Sequence, residues 1–191
     1  MADPARRLAT WEDLLGLPEG GKVEILAGEI QAFPRPLPTH GRVQARLGRI
    51  LGPFDDDEES PGGWWIVIEP DVWFGPHDIV NPDVVGWRRE RMPELPSERP
   101  VRLAPDWICE VQSPSTASRD RTRKSDLYLR GGVPFYWLVD PDGRTLEAFA
   151  AREGAWVRLG GWTDGDVARI APFDAIEITV GKLFPRRTGA G

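Results

Sequence analysis

"PDWICEVQSPST", residues 105 to 116, sets a carboxylate, Glu110, and an amide, Gln112, in a run that otherwise reads Trp107, Ile108, Cys109, Val111. Pro105-Asp106 and Ser113-Pro114 are turn signals, so the short apolar run between them reads as a central strand. An ionised group there costs on the order of several kcal/mol unless something compensates it. Glu110 therefore needs a partner. Residues two apart share a strand face, so Glu110 and Gln112 point with Ile108, while Cys109 and Val111 point the other way.

Two candidate partners flank this strand in sequence. Upstream, "PDVVGW" (82–87) reads as another core strand that begins at Asp83. If the two strands are neighbours, Asp83 and Glu110 converge at a strand end and repel. A divalent cation relieves that repulsion, and oxygen donors of this kind suit Mg²⁺, which takes one or two carboxylates, keeps several waters and meets substrate phosphate. Downstream, "ASRDRTRKSDLYLR" (117–130) reads as a helix, capped by Ser115 or Thr116 and stopped by Gly131-Gly132. Asp120, Lys124 and Tyr128 share one of its faces by the i, i+4, i+8 rule. If that face looks back at Glu110, Lys124 can hold a phosphate oxygen or the attacking water. The chemistry is then metal-assisted phosphodiester hydrolysis. Two plainer readings stand beside it: Glu110 as half of a buried ion pair with Lys124 or an arginine, and Asp83 after Asn81-Pro82 as a turn residue.

Composition narrows the options. The 191 residues, 40% hydrophobic and 28% charged, suit one compact domain over 1–191. Cys109 is the only cysteine, and His40 and His77 are the only histidines. That excludes internal disulfides and cysteine-rich or multi-histidine zinc sites, so any metal is held mainly by oxygen. The net charge of -6 argues against a general nucleic-acid coat protein, though Arg119, Arg121, Arg123 and Arg130 leave a local basic surface open. No apolar run approaches the roughly 20 residues of a membrane span, and "MADPARRLATWEDLL" has no apolar signal-peptide centre. The expectation is a cytoplasmic protein.

The rest of the chain alternates elements. "TWEDLLGL" (10–17) reads as a short helix capped by Thr10, with Trp11, Leu14 and Leu15 on one face; "KVEIL" and "EIQAF" form a hairpin around Ala27-Gly28. From Thr39 an amphipathic helix carries Val43, Leu47, Ile50 and Leu51. "WWIVIE" and "DVWF" are strands, "RRERMPELPSERPVRL" (88–103) is a charged surface excursion, and "PFYWLVD", "TLEAFA" and "AWVRL" are strands after the second long helix. The order predicts an α/β fold, a mixed sheet flanked by helices with additional hairpins. The nine tryptophans read as core or dimer packing, since most lie in strand-like runs.

Taken together, "VEILAGEI", a histidine opening a helix, "NPDVVGW", "PDWICEVQSPST" and "RDRTRKSDLYLRGGVPFYWLVDP" resemble the Uma-type restriction endonucleases, a branch of the PD-(D/E)XK nuclease superfamily. The resemblance covers nearly the whole chain. It implies the restriction-endonuclease-like fold, Asp83 and Glu110 as ligands of Mg²⁺ or Mn²⁺, and DNA as the substrate. One position departs: the superfamily signature has lysine two residues after the glutamate, and here Gln112 stands there. By the same resemblance the lysine function moves to the helix, to Lys124. Asp83, Glu110, Gln112 and Lys124 are thus the expected catalytic set, with Glu24, His40, Asp120 and Tyr128 lining the cleft. A homodimer follows from the need to cut two strands. The rival reading is a nuclease-fold binding or assembly module that no longer cuts; RNA cleavage is a weaker third.

Overall fold

Trp107–Val111 forms the strand its apolar run predicts, with four of its five residues buried. The computed structural model describes residues 7–17, 21–55, 61–112 and 119–186, with Arg119, Asp120 and Arg121 described by backbone alone. In chain order come α1 (Trp11–Leu15), β1 (Lys22–Leu26), β2 (Glu29–Phe33), α2 (Pro38–Asp55), β3 (Trp64–Ile68), β4 (Val72–Gly75), β5 (Asp78–Val80), β6 (Val84–Arg88) and β7 (Trp107–Val111). Then follow α3 (Arg119–Arg130), β8 (Phe135–Asp140), β9 (Thr145–Arg152), β10 (Ala155–Thr163), β11 (Val167–Ala168), β12 (Ile178–Thr179) and a 3₁₀ turn at Val180–Leu183.

Six strands make the main sheet, in the order β10-β9-β8-β7-β6-β3. Only β7 and β8 run parallel; the other neighbours are antiparallel, so the sheet is mixed, as expected. A parallel pair needs a crossover, and α3 lies on the chain between β7 and β8. A second sheet, β2-β1-β5-β4, carries the N-terminal hairpin. Its strand β5 has no counterpart in the sequence reading. Three residues between Gly75-Pro76 and Asn81-Pro82 are too few to show a period, and only the pairing of Ile79 with Ile25 and Trp73 makes them a strand.

Each face of the main sheet is covered for a reason visible in the helices. In α2, Val43, Leu47 and Leu51 recur every four residues and pack on Trp107, Cys109 and Trp137, the outward set of β7 and β8. Across the sheet, Leu127 and Tyr128 of α3 pack on Ile108, Tyr136 and Leu138. The alternation within β7 therefore holds: Ile108 and Glu110 face α3, and Cys109 and Val111 face α2. Helix α3 ends where expected, with Gly132 in the left-handed region at φ 80° and Val133 N–H donating back to Tyr128 O. Its expected caps, Ser115 and Thr116, lie outside the described residues.

Tryptophan packs the core as anticipated. Trp64, Trp87, Trp107 and Trp137 are buried, and the Phe173 ring sits 4.8 to 5.6 Å from those of Phe54, Trp64, Trp107 and Trp137. The excursion after β6 is tied down by indole donors, Trp65 to Met92 O at 2.8 Å and Trp87 to Leu103 O at 2.9 Å. In α1, by contrast, Leu15 is exposed although Trp11 and Leu14 pack inward, because the helix ends there at Gly16. Phe173→Ala removes the ring on which these aromatics converge; urea unfolding should show a loss of about 3–5 kcal/mol.

Candidate active site

Asp83 precedes the first residue of β6, and the β6–β7 register, Val84 opposite Cys109 and Val85 opposite Ile108, continues to set Asp83 opposite Glu110. The convergence expected from the sequence is thus built by strand pairing. The Val111 N–H donates to Asp83 Oδ2 at 2.7 Å, fixing the carboxylate against β7. Its other oxygen, Oδ1, accepts from Lys22 Nζ at 2.8 Å. His40 Nε2 lies 3.1 Å from the same oxygen, near enough to act electrostatically but outside hydrogen-bond geometry. Burial pushes the Asp83 carboxyl up, yet the His40 contact and the Lys22 charge outweigh it and hold the group well below the usual carboxylate range. Asp83 is ionised at neutral pH.

Glu110 has the opposite balance. Its Oε1 accepts from the Tyr128 hydroxyl and from Lys124 Nζ, the latter at 3.3 Å. Tyr128 and Lys124 are one helical turn apart on α3, so the face inferred from i, i+4 spacing does look back at the strand. Burial nevertheless dominates, Lys124 only partly opposing it and Asp83 adding to it, and Glu110 is pushed up to about 6. Lys124 also donates to Glu24 Oε1 at 2.7 Å, and Glu24 is fully buried. Burial pulls the Lys124 ammonium down, but Glu110 and Glu24 together raise it above its usual value. Lys124 keeps its proton and cannot serve as a base. Burial also raises the Tyr128 hydroxyl and the Cys109 thiol, which leaves both protonated.

The two carboxylate systems are joined by the small sheet. Lys22 and Glu24 lie two apart on β1 and so share a face: one meets Asp83, the other Lys124. The Asn81 N–H donates to Glu24 Oε1 at 3.0 Å and closes the link to the turn before β6. From the other side, α2 contributes His40 in its first turn and Gln44 one turn later. Gln44 Nε2 donates to Glu69 Oε1 at 2.9 Å and approaches Asp83 O at 3.4 Å.

Of the expected residues, Asp83, Glu110, Lys124, Glu24, His40 and Tyr128 meet here. Gln112 directly follows β7, with its N–H bonded to Val139 O at 2.7 Å. Asp120 lies in the first turn of α3 and its side chain is outside the described residues. The sequence reading missed Lys22, Gln44, Asn81 and Glu69. Lys22 and Asn81 had a signal, being two before Glu24 and two before Asp83; Glu69 closes the run that reads as the strand "WWIVIE", but β3 stops at Ile68 and leaves it just beyond the strand.

The donor set fits a divalent cation. His40, Glu69 and Asp83 each offer an atom within 4.8 Å of the others. Around the centre, Glu24, Glu69, Asp83 and Glu110 face Lys22 and Lys124, an excess of negative charge that a cation would offset.

The two shifts give opposite pH dependences in cation-free protein. The depressed Asp83 contributes stability present above the ordinary aspartate value and lost as pH falls below it. The raised Glu110 contributes stability present below about 4.5 and lost as pH rises through about 6. In chelator-treated samples, wild type should therefore lose about 2 kcal/mol relative to Glu110→Gln between pH 4.5 and 7, measured by urea unfolding.

Comparison with known proteins gives consistent results. Residues 11–181 match the model of the Uma2 family, described as "Putative restriction endonuclease". A crystal structure from Anabaena variabilis, described as a putative nuclease belonging to DUF820, superposes with a TM-score of 0.72 at 22% identity, covering 92% of this chain and 97% of that one. The type IIG restriction endonuclease BpuSI is a more distant likeness, with TM-score 0.43 and 16% identity over 75% of this chain and 14% of that one. No curated protein matches.

Proposed function

The chain belongs to the Uma2 family, whose description is "Putative restriction endonuclease", and we propose that it is a divalent-metal-dependent endonuclease that hydrolyses phosphodiester bonds of DNA as a single nuclease-like domain. The observation that carries this reading is the placement of Asp83 opposite Glu110 with Lys124 and Tyr128 facing the latter from α3.

Asp83 and Glu110 would hold Mg²⁺ or Mn²⁺, whose chemistry is to polarise the phosphate and to lower the pKa of a bound water. The chain's own groups position and neutralise. Asp83 arrives ionised and locked by the Val111 N–H, so little reorganisation is needed at that carboxylate. Glu110 is held by Tyr128 on the side facing α3. Lys124 stays cationic and on the Glu110 face, where it can meet a phosphate oxygen and balance charge that develops there. It takes the place that the superfamily signature gives to a lysine two residues after the glutamate, where this chain has Gln112. Gln112, directly after Val111, would orient water or phosphate by its amide. Two copies, each cutting one strand, are the simplest arrangement for a duplex.

A specific observation favours a second reading. Asp83 and Glu110 already have internal cationic partners, Lys22 and Lys124, so the same cluster can stand as a buried ion-pair network in a nuclease-fold binding module.

Cleavage of plasmid, linear duplex and single-stranded DNA with Mg²⁺ or Mn²⁺ separates the two. Wild type should cut, and Glu110→Ala and Lys124→Ala, shown folded by near-ultraviolet circular dichroism, should each lose about 100-fold or more in rate. No cleavage by folded wild type that also binds no divalent metal selects the binding module. Cleavage that survives Glu110→Ala places the chemistry elsewhere.

A further inference from the structure

We propose that Arg35 and Arg42, on either side of the start of α2, hold backbone phosphates of the substrate strand next to the one that is cut. The inference rests on the nuclease reading for its ligand and concerns a rim of the cleft outside the acidic centre.

The rim is placed by β2. In the β1–β2 pair Gln31 stands opposite Glu24 and Phe33 opposite Lys22, and residues directly opposite across a pair share a face. On that face Lys22 meets Asp83 and Glu24 meets Lys124. The Phe33 ring accordingly lies 5.7 Å from Lys124 Nζ. Arg35 follows two residues later, at most about 7 Å of chain from Phe33. Helix α2 begins at Pro38, and its His40 stands 3.1 Å from Asp83. The stretch 34–37 therefore leads from one wall of the centre to another.

Its residues suit a contact surface. All four are exposed, Leu37 by 59%. Pro34, Pro36 and Pro38 alternate with Arg35 and Leu37; each ring fixes its own φ and holds the residue before it extended. A stretch stiffened in this way loses little freedom on binding. Its far end is tied to α2, where the Leu37 carbonyl accepts from the His40 and Gly41 N–H groups. Arg42 is exposed as well, and helical side chains lean toward the N-terminus, here the end that carries His40.

Charge gives the second, independent support. Glu24, Glu69, Asp83 and Glu110 make the centre acidic, and Lys22 and Lys124 already pair with three of those acids. The whole chain carries a net charge of -6. A polyanion approaching this end of the sheet needs cations that are not already neutralised. Among the described residues neither Arg35 nor Arg42 has an acidic partner. A guanidinium offers a planar fork that matches a phosphate, and such contacts position a strand without reading its sequence.

Fluorescence anisotropy of labelled DNA duplexes, titrated with Glu110→Gln protein in Mg²⁺ over a range of salt, tests this. Added to that background, Arg35→Gln and Arg42→Gln should each weaken binding about 5–10-fold near 0.1 M salt and lower the slope of log affinity against log salt by about 0.9, the pair together by about twice that. Arg35→Lys should keep the slope, and duplexes of unrelated sequence should give the same losses. Arg152→Gln is the control. Arg152 is exposed and lies beyond Ala150, which pairs with the first residue of β8, whereas Glu110 pairs with Leu138 toward the other end. Affinity and slope unchanged in both glutamine variants, losses no larger than that of Arg152→Gln, or no DNA binding by folded protein overturns the proposal. Wild-type cleavage combined with unchanged slopes in the variants would sink this rim and leave the nuclease reading standing; lowered slopes in a protein whose wild type never cuts would do the reverse.

Discussion

The Asp83 carboxylate is the joint on which the centre depends. One oxygen takes the Val111 N–H of β7, and the other takes Lys22 from the second sheet and faces His40 from α2. Three separate pieces of chain are thus registered on a single buried charge. Removing one partner from such a group leaves an uncompensated ion, at a cost of about 3–5 kcal/mol, whereas the intact set contributes little net stability. The network is accordingly explained poorly as a stabilising device and well as a means of holding charged groups at fixed separations.

Strand pairing and one helix bring these groups to the same end of the sheet. Antiparallel pairing of β6 with β7 sets Asp83 opposite Glu110, and the parallel pairing of β7 with β8 places α3 on the chain between them. Because Lys124 and Tyr128 lie one turn apart, docking the apolar Leu127 and Tyr128 on Ile108 and Tyr136 also delivers the lysine to Glu110. The face that packs also carries the charge that meets Glu110. The opposing electrostatics of the two acids follow from their surroundings: at Asp83 the His40 contact and the Lys22 ammonium outweigh burial, while Glu110, despite Lys124, is governed by burial.

Much of this was legible in the residues. A carboxylate in an apolar strand announced itself, period-two alternation gave the faces of β7 correctly, and i, i+4 spacing brought Lys124 and Tyr128 together. What could not be read was long-range. Strand β5 has three residues and exists through pairing with β1 and β4. Glu69 reads as the end of a strand but lies just past it, and its place beside Asp83 depends on how β3 pairs with β6. Lys22 looked like one end of a hairpin until the second sheet folded against the first. These are contacts between segments distant in sequence, which local pattern does not encode.

Cation binding at Asp83 decides between a nuclease centre and a buried ion-pair network. Anomalous diffraction at the manganese edge, from crystals equilibrated with Mn²⁺, tests this directly. A bound cation gives a peak within about 2.2 Å of an Asp83 carboxylate oxygen, with Lys22 withdrawn from Oδ1. A fully ordered Asp83 that retains its Lys22 contact, with no anomalous density at either carboxylate oxygen, would contradict it.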